Sequence, residues 1–272
     1  QEMSRGLGDV YKRQEINLNS FNKDDQKILL LGYGYSAKYT EKYLRDKFPE
    51  IEIFKTSRSQ ADCIYFDLEE ENSWKNLPQL SSCILFFPIK EVAKIENLLN
   101  SQAWTNITIV GTTGSFLVEE LNQEINDDSK LDTEHERYEV EESIRKYGGK
   151  VIFSSGIYGP GKSPVNWLRN SRVKNSPSYV NLIHVEDLAQ CIVHAHLFGE
   201  KSKNYIATNN QPEKWSDLIS RWREHFEFPE PEMTSDIKSK SKKVYAKYLN
   251  SLGVSIRHND LDKSILQIES KP

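Results

Sequence analysis

The stretch KILLLGYGYSAKYTEKYL, residues 27–44, decides how this chain is read. An apolar run, Ile28–Leu31, leads directly into Gly32, Gly34 and Ala37, and then into a helical pattern that continues to Phe48. The spacing G-x-G-x-x-A between a strand and a helix brings free N–H groups and the positive end of a helix dipole up to a phosphate. Gly32 permits the tight turn and Gly34 lets the backbone approach a pyrophosphate. Ala37 is small enough for the helix to pack on the strand. Tyr33, Tyr35 and Ser36 fill the remaining positions of the loop. The stretch reads as the phosphate cradle of a dinucleotide site. The alternative is a tight strand-to-helix turn that holds nothing.

Outward from the cradle, short apolar runs alternate with amphipathic stretches. Strands are expected at 51–57, 63–68, 83–88, 107–113 and 150–155, and helices at 89–100 and about 134–147, the latter ended by Gly148-Gly149. That alternation predicts an α/β fold with a doubly wound parallel sheet of the Rossmann type. Continuous apolar runs fit strands covered on both faces. Past residue 156 the rhythm breaks. GIYGPGKSP at 156–164 is a glycine- and proline-rich loop, 179–189 a short strand entering a helix, and 204–208 another strand. Residues 213–227 and 241–252 carry helical patterns. This half is expected to form a smaller α+β substrate lobe within a single domain spanning 27–272. Residues 1–26 lie outside it. SRGLGDVYKRQ at 4–14 has no periodic pattern and reads as a disordered tail or as sequence foreign to the fold.

Composition narrows the function. The chain has 272 residues, 37% hydrophobic and 28% charged, with a net charge of −4. Such a chain buries a sizeable core. Its basic residues are interspersed with acids, so no nucleic-acid partner is expected. KSKSKK at 238–243 reads as a local, solvated run. No apolar run approaches the ~20 residues that span a bilayer, and no signal-peptide pattern is present. The cytoplasm is the expected location. Cys63, Cys83 and Cys191 are far apart and read as reduced core residues, and no metal site is expected. The sequence leaves the oligomeric state open.

The end of the second expected strand selects the cofactor. An acid there would accept hydrogen bonds from the ribose of NAD, but the sequence is Thr56-Ser57-Arg58-Ser59. Arg58 with Ser57 suits a 2′-phosphate and favours NADP over NAD. The alternative is a solvated arginine. Asp67 either contacts the adenine amino group or caps the following turn.

Several segments together resemble one family. GYGYSA at 32–37, TSRS at 56–59, FDL at 66–68, LFFP at 85–88, VGTTGSF at 110–116, GIYGPG at 156–161 and IHVEDLA at 183–189 are similar to the extended, epimerase/dehydratase-like short-chain dehydrogenase/reductases. LNSLGVSI at 249–256 and the G-x-G-x-x-A loop point to an atypical subgroup. The resemblance implies a Rossmann fold with a small C-terminal lobe and places Phe87, Pro88, Gly156 and Ile157 beside the cofactor. It implies that Thr112 or Thr113 orients the substrate oxygen. It also implies a Tyr-x-x-x-Lys helix, the tyrosine as general acid/base and the lysine lowering its pKa. The sequence departs there: Tyr138 is followed four residues on by Glu142. Thr133 falls in the tyrosine slot and Arg137 in the lysine slot. Arg137 binds ribose or a substrate anion, or else pairs with Glu141. Two functions follow. One is an NADP-dependent oxidoreductase or epimerase acting on a small polar, sugar-like substrate, with Tyr138 or Tyr158 as substitute acid. The other is a non-catalytic NADP-binding sensor or assembly factor. Asp187, beside His184, is expected to cap a helix.

Overall fold

The computed structural model of the chain describes residues 26–235 and 240–270. The stretch 1–25 and part of the KSKSKK run lie outside the described residues. The first half alternates as the apolar runs require. Strand β1 (Lys27–Leu31) leads through the glycine turn into α1 (Tyr35–Lys47), followed by β2 (Glu52–Ser57), β3 (Ile64–Tyr65), β4 (Ser82–Leu85), α2 (Val92–Asn100), β5 (Asn106–Thr112), β6 (Gln123–Ile125), α3 (Tyr138–Lys146) and β7 (Lys150–Ser154). The second half holds β8 (Gly156–Tyr158), α4 (Pro164–Arg169), β9 (Tyr179–Val180), β10 (Leu182–His184), α5 (Val185–Phe198), β11 (Asn204–Ala207), β12 (Glu213–Lys214), α6 (Trp215–Trp222), β13 (Lys242–Val244) and α7 (Leu261–Glu269).

Seven strands form one sheet in the order β11-β7-β5-β4-β1-β2-β3, and every pair in it is parallel. The order reverses between β1 and β4, so their carboxyl ends splay apart and leave a crevice. Both faces of the sheet are covered. On one, Leu29, Leu31, Leu85 and Ile109 pack with residues of α2 and α3; on the other, Ile28, Leu30 and Ile84 pack with residues of α1 and α5. A third cluster, built on Tyr158, Leu168, Leu218, Trp222 and Ile265, lies in the second half of the chain.

The structure corrects several boundaries. Residues 241–252 are not a helix. They form β13, parallel to β6, and a short 3₁₀ turn at Leu249–Leu252. Side chains from elsewhere capture the backbone donors a helix would have used: Asn181 takes Val244 N–H at 2.8 Å, Asn210 takes Ala246 N–H at 2.6 Å and Asp127 takes Lys247 N–H at 2.6 Å. The 63–68 run contributes only the two residues of β3 to the sheet. The 156–164 loop contains β8, which pairs with β10. Helix α7, absent from the sequence reading, starts where the Asp260 side chain accepts from Lys263 N–H at 3.0 Å.

Candidate functional site

The turn after β1 is held by what it lacks. Gly32 has φ +89°, and a methyl group on it would lie 2.5 Å from Phe87 Cδ1. Its N–H donates to Thr56 Oγ1 at 3.0 Å, while Tyr33 N–H donates to the Thr56 carbonyl at 2.8 Å. The turn is thereby fixed to the end of β2. Gly34 differs, because a methyl group there would meet nothing within 4 Å. That open space fronts the first turn of α1, which carries no acidic side chain. The electrostatics and the room both fit an anion at the helix N-terminus.

Two cavities flank this turn across the carboxyl ends of the strands. The first, about 520 Å³, is lined by Gly32, Tyr33, Gly34, Ser57, Arg58 and Asp67, with Phe87 closing it. Ser57 Oγ accepts from the N–H groups of Ser59 and Gln60, each at 3.2 Å, curling the loop after β2 around the cavity. The Arg58 side chain is 75% exposed and stands 4.0 Å from Asp67 Oδ2, so its guanidinium is free to turn toward a ligand. Asp67 Oδ1 accepts from Glu69 N–H at 3.0 Å, so it caps a turn while also lining the cavity. The Tyr33 ring lies 4.4 Å from Lys55 Nζ and its hydroxyl donates to Glu41; burial pushes that phenol up to about 12.

The second cavity, about 730 Å³, shares Phe86 and Pro88 with the first. Ser36, Thr112, Arg137 and Ile157 line it, as do Ser155, Lys162 and Arg172, to which the sequence reading gave no role. Its charged lining residues are all cations: Arg137, Lys162 and Arg172. Two of its polar atoms are buried without a partner among the described residues, Arg137 Nε and Ser155 Oγ. Buried polar atoms are rarely left unpaired unless a ligand or ion completes them. Not every expected residue reaches the cavities. Thr113 is buried behind Thr112, Tyr138 is half-buried at the start of α3, and Gly156 N–H is tied to Asn181; none of the three lines either cavity. Tyr35 also lies off both linings, its hydroxyl donating to the Pro160 carbonyl at 3.0 Å, and Ala37 is buried under α1.

No family model matches the chain and no curated protein matches it. Solved structures do. ADP-L-glycero-D-manno-heptose-6-epimerase of Helicobacter pylori superimposes with a TM-score of 0.70 at 12% identity, over 92% of this chain and 99% of its own. A short-chain dehydrogenase/reductase superfamily protein from Agrobacterium tumefaciens with bound NAD gives 0.69 at 11% identity, over 89% and 95%. RMD from Pseudomonas aeruginosa complexed with NADPH gives 0.66 at 15% identity, over 89% and 98%. The chain shares the fold of these proteins.

Within that fold the dyad region is rebuilt. Thr133 is exposed, and Arg137 stands at the N-cap position of α3 without a side-chain capping hydrogen bond. Tyr158 is fully buried, its hydroxyl 3.4 Å from the His258 carbonyl, so it cannot serve as an acid in the cavity. Behind β5 lies Glu141, 1% exposed. It accepts from Ser115 Oγ at 3.3 Å through Oε1, and its Oε2 has no partner among the described residues. Burial pushes this carboxyl up to about 7. Asp187 is not the cap of α5. His184 is, accepting from Glu186 N–H at 3.3 Å. The fully buried Asp187 carboxylate accepts from the N–H groups of Arg257 and His258, at 3.2 and 2.9 Å. Among the described residues no helix is long and apolar enough to cross a membrane.

Proposed function

We propose that the chain is a nicotinamide-dinucleotide-dependent oxidoreductase or epimerase acting on a small anionic, sugar-like substrate. The observation that carries this reading is the pair of adjoining cavities at the reversal of strand order, one built around the glycine turn and the other holding Arg137 Nε and Ser155 Oγ unpaired. The adenosine end of the cofactor would occupy the first cavity, its pyrophosphate the space over Gly34, and its nicotinamide the neighbourhood of Pro88 and Ile157. Arg58 beside Ser57, with no acid at the end of β2, favours NADP. Its 4.0 Å approach to Asp67 is loose enough to yield to a 2′-phosphate. The relatives in fold carry NAD in one case and NADPH in another. When bound, the cofactor supplies or accepts hydride.

The chain's own residues orient and hold. Thr112 Oγ1 accepts from Gly114 N–H at 3.2 Å, which leaves its hydroxyl proton for a substrate oxygen in the cavity. Arg137 stays charged and positions a ribose or an anion without moving a proton. Lys162 and Arg172 favour a substrate bearing phosphate or carboxylate.

A second reading rests on the lining itself. No tyrosine, histidine or carboxylate is among the residues lining the larger cavity, so a non-catalytic NADP-binding sensor or assembly factor would need no change to these residues. Titration with NADPH and NADH, on the parent and on Arg58→Ala, tests the common part. Tighter NADPH binding that weakens in the variant supports the reading, and equal affinities in both proteins remove the NADP preference. Absence of binding by either nucleotide overturns both functions. Turnover of carbonyl or sugar-nucleotide substrates with NADPH separates the enzyme from the sensor.

A further inference from the structure

The lysine that α3 lacks four residues after Tyr138, where Glu142 stands, has a counterpart delivered from the far end of the chain. Lys242 opens β13, which runs parallel to β6 with Lys242 opposite Gln123 and Val244 opposite Ile125. Alternation along this strand turns Lys242 and Val244 inward and Lys243 outward, where it approaches Glu124. An inward position on so short a strand suits an apolar side chain, and Val244 is fully buried. Lys242 is only 9% exposed, yet it carries an ammonium. Its Nζ donates to the carbonyl of Thr113, in the 3₁₀ turn that continues β5 beyond Thr112. No ion pair joins it among the described residues. The neighbouring charges, Lys240 and Asp132, pair with each other at 3.3 Å.

The backbone around Lys242 is anchored to the same region. Its carbonyl accepts from Asn181 Nδ2 at 2.9 Å, and the Asn181 carbonyl accepts from the N–H of Gly156, where GIYGPG begins. Ser241, one residue earlier, donates to Asn122 Oδ1 at 2.6 Å and accepts from Tyr179 N–H at 3.0 Å. The strand therefore ties the end of β5 to the glycine loop, the two segments that wall the larger cavity. A buried ammonium without a carboxylate is costly, and a methionine would fill the same hydrocarbon space without that cost.

We infer that Lys242 is a positioning residue of the site, an ammonium that holds the Thr113 carbonyl, thereby sets the Thr112 hydroxyl in the cavity, and supplies positive potential at the end of β5. The inference rests on the functional reading above and goes beyond it, because it moves the cationic half of the absent dyad from the helix to the C-terminal strand. Burial, reinforced by Lys240 and partly opposed by Asp132, pulls the Lys242 ammonium down to about 8, so its charge changes just above neutrality.

The test uses the full chain with NADPH as the probe. Fluorescence of bound NADPH is followed from pH 6.5 to 9.5 in the parent, Lys242→Met, Lys242→Arg and, as a control at an exposed lysine of α7, Lys263→Met. NADPH affinity at pH 7 is measured alongside, as is thermal unfolding. The expected result is a step centred near pH 8 in the parent and in Lys263→Met. Lys242→Arg is expected to hold the acid-side signal throughout and Lys242→Met the alkaline-side signal. A step that persists unchanged in both Lys242 variants overturns the inference and leaves the dinucleotide reading intact. So does a parent that binds NADPH with no step. A parent that fails to bind NADPH overturns the functional reading, and this inference with it. Should Lys242→Met unfold, Lys242→Arg alone decides: loss of the step supports the role and its persistence removes it.

Discussion

Gly32 and Gly34 stand two residues apart and are glycine for different reasons. At Gly32 the backbone is left-handed and Phe87 occupies the space of a side chain; at Gly34 the space is open. Gly32→Ala is therefore expected to lower stability by about 2 kcal/mol, through backbone strain and the displaced ring, as read by chemical denaturation. Gly34→Ala is expected to leave stability within about 1 kcal/mol of the parent yet weaken dinucleotide binding at least tenfold, because the added methyl occupies the approach to the pyrophosphate. Loss of stability without loss of binding in Gly34→Ala would remove the cradle. The pattern G-x-G-x-x-A was legible in the sequence; which glycine faces a wall and which an opening depends on Phe87, more than fifty residues away.

Elements of the second half are held in place by single side chains. The Asp187 carboxylate fixes the 257–258 segment, and Asp127 bridges Ile206 N–H of β11, at 2.7 Å, to Lys247 N–H of the segment after β13. Asp187→Ala strips two backbone N–H groups of a buried, charged acceptor and is expected to cost about 3 kcal/mol. Hydrogen exchange should then rise at Arg257 and His258 while β1, β4 and β5 stay protected. Uniform acceleration across the chain would show instead that the clamp is part of the global unfolding unit. These clamps also explain where the sequence reading failed. KKVYAKYLNSLG has apolar residues at helical spacing, but its donors are met by Asn181, Asn210 and Asp127, so tertiary partners outweigh the local pattern. Asp187 precedes a helical run, as a cap would, yet its partners come from seventy residues downstream.

Buried titratable groups set the acid response of the whole molecule, and two kinds oppose each other. His196 is fully buried between Ser82 Oγ and Thr108 Oγ1, each 2.8 Å away, and burial holds it well below the ordinary histidine range. His184 is pulled down to about 4, by burial first and then by the neighbouring His258. These rings stay neutral in the fold while the unfolded chain takes up their protons below about pH 6.5, so each costs about 1 kcal/mol per pH unit below that point. Glu141 acts in the other sense. Its folded pKa, near 7, lies above its unfolded value of 4.5, so the stability it lends is full below pH 4.5 and is lost as pH rises through 7. Acidification from pH 7.5 to 5.5 therefore removes histidine-linked stability while restoring that of Glu141. Glu141→Gln abolishes the compensation. That variant is expected to lose about 1–2 kcal/mol more than the parent over this interval, by urea denaturation at both pH values. An identical loss in the two proteins would mean that Glu141 is ionised in the fold.

Local rules were enough for the sheet and the glycine turn. A strand buried on both faces must be a continuous apolar run, and a glycine turn into a helix must carry its signature within six residues. The sequence by itself therefore determined the alternating α/β order, the glycine turn into α1 and the absence of a Tyr-x-x-x-Lys pair from the helix after β5. The tertiary structure decided the larger cavity. Arg137, Ser155, Lys162 and Arg172 come from four segments with no shared spacing and meet only because β5, β7 and the loops beyond β8 converge at one end of the sheet. It also decided that Lys242 reaches the end of β5, since a contact across 129 positions leaves no periodic trace in the chain and is fixed by strand pairing alone.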